Sequence, residues 1–313
     1  MKKRSAVRCG IAIWIVVLTC WGCAGSRDVA DALPTTINVV EPAKGFSKII
    51  AIALVRTTPS DFGRRIGDLY YRTLIDALRE QDETLQLISR TDSRWTDSMA
   101  RLVQGNASPA DIVSLAETAR IAGLNGWACA RIDDLQPVAR RTGLLWFRKE
   151  RYFIFAELSF SVFDPFTGAK IIDKVVEIST KVSKADYEAV KIGKAVAISD
   201  FDETIADIGT DMGEHAAEVL ENQPWQAAVI GVRGDRIFLS AGASTGLRGG
   251  ERLTVFEGRR MMEGQEGQHF IIPGPEVGRI RIVQVTEGVS EARIESVAAG
   301  ARMQAGDIAA AVQ

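Results

Sequence analysis

Few residues in this sequence have the type and spacing to do chemistry. Gly242-Ala243-Ser244-Thr245-Gly246 matches G-x-S-x-G, the turn on which hydrolases present a serine nucleophile. That chemistry needs a helix directly after the turn, and an acid and a histidine further along the chain. Gly249-Gly250 opposes a helix there, and the only histidine downstream is His269, inside a β-like run. A strand-loop-strand reading is preferred, and a serine hydrolase using Ser244 is kept as a remote alternative. His215 stands among Asp207, Asp211, Glu214 and Glu218 on a helical stretch. Asp211 and His215, at i and i+4, share a face and could touch a divalent ion. A transition-metal site usually takes more His or Cys ligands than this segment offers, so the stripe reads as a solvated acidic face. No G-x-x-x-x-G-K-S/T loop occurs and no G-x-G-x-x-G follows a strand, so no phosphate cradle is visible. No catalytic residue, metal or cofactor is expected.

The stronger candidate is a contact surface. Arg140, Arg141, Leu144, Leu145, Trp146, Phe147, Arg148 and Lys149 place four consecutive bulky apolar residues between basic pairs. Trp and Arg are favoured at interface hot spots, and basic-aromatic clusters also suit an anionic membrane surface. The competing reading is that Leu144 to Phe147 begins a strand and packs inward.

Composition bounds the elements that must hold these residues. The chain has 313 residues, is 46% hydrophobic and 25% charged, and sets Lys+Arg 38 against Asp+Glu 40 for a formal net charge of −2. That length suits two domains, and the apolar fraction excludes disorder as the main state. The charge balance lacks the basic excess expected of a nucleic-acid binder.

The N-terminus reads as a targeting segment. Lys2, Lys3, Arg4 and Arg8 form a basic region ahead of an apolar stretch from Gly10 to Leu18, which is short for a membrane span. The small residues around Gly22-Cys23-Ala24-Gly25-Ser26 resemble the lipobox of bacterial lipoproteins. That resemblance implies cleavage after residue 22, acylation (palmitate) of Cys23, and, with Ala24 rather than Asp next, sorting to the outer membrane. Cys20, preceded by Val17-Leu18-Thr19, offers a second processing position; an ordinary secretory signal or an uncleaved anchor are the alternatives. Cleavage before Cys23 would leave Cys129 without a disulfide partner, as a buried small hydrophobe. Residues 23–45 hold Pro34 and Pro42 and no sustained period. They read as a tether, able to reach on the order of 70 Å at roughly 3.3 Å per residue.

Residues 46–222 read as an α/β domain, a mixed sheet flanked by helices. Lys48 to Val55 is an apolar run expected of a strand covered on both faces. Ser60 caps a helix with apolar residues at helical spacing from Phe62 to Leu78. Thr84 to Ile88 reads as a strand, Ala110 to Ala122 as a helix stopped by Gly123, and Gly126 to Ile132 as another strand. Two long strands follow around the turn Asp164 to Gly168, then helices over 184–197 and 201–221, the latter capped by Ser199 or Asp200. The segments KIIAIALV, SPADIVSLAETARIAGLNGWACARI and FSVFDPFTGAKIIDK, in this order, resemble one family of periplasmic domains. It is shared by the curli-secretion lipoprotein, the lipoprotein activators of penicillin-binding proteins, and flagellar assembly protein T.

Residues 225–313 have a different texture. Half of the chain's 28 glycines fall here, between short β-like runs at 227–232, 236–240, 252–256, 269–272, 278–285, 291–295 and 308–312. Such a pattern indicates a small all-β barrel or sandwich. FLSAGASTGLRGGERLTVFE, EVGRIRIVQVTEGVSEARI and AGDIAAAV resemble the C-terminal β-domain of flagellar assembly protein T. The curli-type and activator proteins lack that domain. The combined resemblance implies a non-catalytic scaffold of an envelope machine, such as a flagellar basal-body ring. The protein would be lipid-anchored at the periplasmic face of the outer membrane, bind an envelope protein complex, and possess scope for homo-oligomers. A regulator of a peptidoglycan synthase or a secretion-channel component is the alternative.

Overall fold

The computed structural model describes residues 45–56, 59–102, 109–142, 149–264, 267 and 269–311. Asn38–Gln313 forms one compact unit.

The first half is a five-stranded sheet in the order β2-β1-β3-β4-β5. β1 (Lys48–Arg56) lies parallel to both β2 (Leu85–Ile88) and β3 (Gly126–Thr142). β4 (Lys149–Phe163) and β5 (Lys170–Val182) continue the sheet antiparallel. The apolar run of β1 is explained by burial on both sides. Ile50 and Ile52 face a core built with α1 (Asp61–Gln81) and α5 (Ser199–Glu221). Ile49, Ala51 and Ala53 face a second core with α2 (Asp97–Leu102) and α3 (Pro109–Ile121).

Most expected elements form, with boundary corrections. Ser60 caps α1, its hydroxyl accepting from Gly63 N at 3.0 Å. α4 (Lys184–Lys191) stops well short of residue 197, because Gly193 turns left-handed at φ 77°. Neither Ser199 nor Asp200 caps α5: the cap position is Ile198, with no side-chain capping bond. Asp200 and Asp202 in the first turn complement the helix dipole instead. β3 runs ten residues beyond Ile132 to Thr142.

The second half is a closed barrel, not an open sandwich, in the order β11-β12-β7-β6-β13-β8. Its strands are β6 (Gln226–Arg233), β7 (Arg236–Leu239), β8 (Arg252–Phe256), β11 (Glu276–Val285), β12 (Ser290–Val297) and β13 (Ile308–Ala310), all neighbours antiparallel. Closure pairs every edge. Trp225, Ile237, Leu239, Val255, Ile280 and Ile282 fill the interior.

A hairpin of β9 (Arg260–Glu263) and β10 (His269–Ile272) leaves the barrel between β8 and β11. Its Ile271 is buried in the α2/α3-side core with Trp127 and Cys129, and Ile271 N donates to Thr167 O at 2.8 Å. The segment ahead of β1 crosses the other way. Phe46 stacks on Trp225 with centroids 4.6 Å apart, and Ser47 N donates to Thr245 O at 3.0 Å. Asn125 ties both halves: its Oδ1 accepts from Ile49 N at 3.1 Å and its Nδ2 donates to Gln226 O at 2.9 Å. Lys48 Nζ donates to Leu220 O at 2.5 Å and Glu221 O at 2.9 Å, closing the C-terminal end of α5.

Candidate functional site

The candidate interface falls at the far end of the β3–β4 ladder. β5 covers β4 only as far as the Val182–Tyr152 pair, while β3 and β4 stay paired through Arg140–Arg151, Arg141–Glu150 and Thr142–Lys149. Past Ile132, β1 no longer pairs with β3 either. A two-stranded arm therefore extends beyond the sheet. Arg140, Arg141, Lys149 and Arg151 are all exposed on it.

The arm's polar groups are organised among themselves. Arg141 Nε lies 3.1 Å from Glu150 Oε1, and the Tyr152 hydroxyl donates to Glu150 Oε2 at 2.9 Å. The Tyr152 hydrogen bond, then the Arg141 contact, hold the Glu150 carboxyl below its ordinary value. The Arg140 guanidinium sits 5.4 Å from the Phe153 ring centroid, a cation–π distance. With Glu150 engaged by Arg141, the remaining cations Arg140, Lys149 and Arg151 give the arm a positive end. Leu144, Leu145, Trp146, Phe147 and Arg148 lie outside the described residues, as do Cys20 and Cys23.

The other sequence candidates are not brought together. Ser244 lies on a single 3-10 turn, Ala243–Thr245, which ends at left-handed Gly246 rather than opening into a helix. Its backbone N donates to Glu287 O at 3.0 Å, its carbonyl accepts from the Gln86 amide, and its hydroxyl has no hydrogen-bond partner among the described residues. The strand-to-helix turn that would activate such a serine is not what surrounds it. His215 is exposed on α5, beside Asp211, Glu214 and Glu218 in a shallow depression that also takes in Lys174. No group of three or more His, Cys, Asp or Glu residues is placed to hold a metal among the described residues. Cys129 is a free, buried thiol in the α2/α3-side core.

Sequence reasoning missed Arg120. It lies in the last turn of α3, 7% exposed, on a cavity of about 340 Å³ between α3 and the barrel. In the sequence it is one polar residue in an ordinary helical string. The groups that bury it, Gly258 and Ile271 among them, are more than a hundred residues away.

No protein-family model matches the chain, and no curated protein matches it. Solved structures with some likeness to it include bacterial ones. They include a hypothetical protein from Chlamydia trachomatis (15% identity over 56% of this chain and 98% of that one, TM-score 0.33). A minor lipoprotein from Acinetobacter baumannii shows 11% identity over 55% of this chain and 93% of that one, TM-score 0.28. The PelC dodecamer from Paraburkholderia phytofirmans shows 11% identity over 56% of this chain and 93% of that one, TM-score 0.28.

Proposed function

We propose that this chain is a non-catalytic, lipid-anchored assembly protein of the bacterial envelope, acting by protein–protein contact at the periplasmic face of the outer membrane. The observation that carries the reading is the exposed β3–β4 arm. Arg140, Arg141 and Lys149 are exposed on its last ladder pairs, and in sequence they flank Leu144 to Phe147. Alternation of cations with bulky apolar residues is the composition of an interface hot spot. The basic and apolar segments before Cys23 support secretion and anchoring. The resemblance of both halves to flagellar assembly protein T supports a basal-body ring as the machine served.

A photo-crosslinking residue at position 146, used in living cells, tests the arm. The expected outcome is capture of a defined envelope protein, reduced when Arg140 and Lys149 are changed to Glu. Normal expression with no envelope protein captured would overturn the reading. Two further measurements separate its parts. Cys23→Ala should move the protein from the membrane to the soluble fraction, and a deletion strain should lose swimming motility. Full motility with retained capture would reject the flagellar machine and keep the scaffold.

A further inference from the structure

The cavity at Arg120 combines one under-used buried cation with apolar walls. It opens where the last turn of α3 meets β6, the β8–β9 connection and the turn before β13, and Val113, Ile121, Val229, Met261 and Ile271 line it. A guanidinium carries five N–H donors. That of Arg120 makes one hydrogen bond among the described residues, from Nη1 to Gly258 O, and it is long at 3.4 Å. No carboxylate among the described residues stands within 4 Å of it, although Glu117 and Asp164 act on it from further off. Burial pulls the Arg120 pKa down, as expected of a cation removed from water without a close counter-charge.

The other charges at the cavity narrow the ligand. Arg259, on its rim, points Nε at Asp307 Oδ1, 3.5 Å away. Asp307 is fully buried and that oxygen has no hydrogen-bond partner among the described residues, so Arg259 is the charge that balances it. Glu117 lines the mouth and would repel a second negative charge. Asp164, engaged by Phe166 N and the Thr167 hydroxyl, acts on Arg120 only from beyond 4 Å, so most of the guanidinium's N–H donors are unused among the described residues. A guanidinium fits a carboxylate through two parallel N–H···O bonds. The volume is at the small end of ligand cavities.

We infer that this cavity binds a small aliphatic monocarboxylate, its carboxylate held by Arg120 and its chain lying against Val113, Val229, Met261 and Ile271. The site is separate from the β3–β4 arm, so its failure and that of the scaffold reading are independent.

Titration calorimetry with octanoate tests it, on protein lacking residues 1–23, which lie outside the compact unit Asn38–Gln313. Octanoate should bind, with octanol and octyl phosphate each weaker by roughly tenfold or more, octanol because it lacks the charge-assisted bonds. Arg120→Met should weaken octanoate to the level of octanol. Val113→Phe, which fills the cavity and keeps the cation, should abolish binding. Absence of octanoate binding at millimolar concentration, or equal binding of octanoate and octanol, would overturn the inference. The comparison of ligands on unaltered protein holds even if Arg120→Met fails to fold.

Discussion

Single side chains set how this fold responds to pH. Cys129 is 2% exposed, and burial pushes its thiol up to about 11 from an ordinary 9.0. The folded state therefore holds that proton more tightly than the unfolded chain does. Its contribution to stability is complete below about pH 9 and is lost as pH climbs through about 11, on the order of 2–3 kcal/mol. Burial raises Tyr70 and Tyr71 as well, Tyr71 to about 12, so they add to the loss at still higher pH. Cys129→Ala should cost about 1 kcal/mol near pH 8, through the small void it leaves. Near pH 11 that deficit should vanish or reverse. Urea unfolding of both proteins at the two pH values checks this. The buried state of Cys129 was legible from its apolar strand, GWACARI, whereas the partners of Arg120 were not, because only the tertiary fold supplies them.

Elements show where local pattern suffices and where it fails. The end of β3 was hidden because Asp133-Asp134 and Pro137 interrupt the apolar pattern. Three-dimensional context resolves the conflict. β1 ends opposite Ile132, so Pro137 sits where β3 has become an edge on that side and no neighbour needs its missing N–H. A bulge between Ile132 and Asp134 absorbs the acidic pair, and Asp133 accepts from Arg131 Nε at 2.9 Å. α2 is six residues long with only Met99 and Leu102 buried, and all of β9 is exposed, so neither leaves a period to read. α5 was legible, but not how closely it approaches α1. A Cβ at Gly213 would lie 2.6 Å from Leu74 O and 2.7 Å from Ala77 Cβ. Gly213→Ala gains about 1 kcal/mol of helix propensity, yet overpacking costs roughly 1–3 kcal/mol. The variant should be destabilised, with a lower urea midpoint than the parent; equal or greater stability would show that the helices part without cost.

At the scale of the molecule, the two textures of the sequence correspond to two architectures that share their walls. Asn125 is the clearest shared residue, since one side chain satisfies Ile49 N in the sheet and Gln226 O at the start of the barrel. Asn125→Ala leaves both groups without that partner, at about 1–3 kcal/mol for each one that stays buried. Because Phe46 and Ile271 also cross between the halves, the unaltered protein should unfold in one transition. Fluorescence of the buried tryptophans Trp127, in the sheet, and Trp225, in the barrel core, should report the same midpoint. Separate midpoints, each followed by a single-tryptophan variant, would show that the halves melt independently.

The β9–β10 hairpin gives this interlock a direction in time. Trp127 and Cys129 leave the ribosome long before Ile271, which completes the wall of their core. Until the barrel's hairpin is synthesised, α2 and α3 cover that side of the sheet and only the place Ile271 takes beside Trp127 and Cys129 is unfilled. The residue that seals the first half is carried by the second.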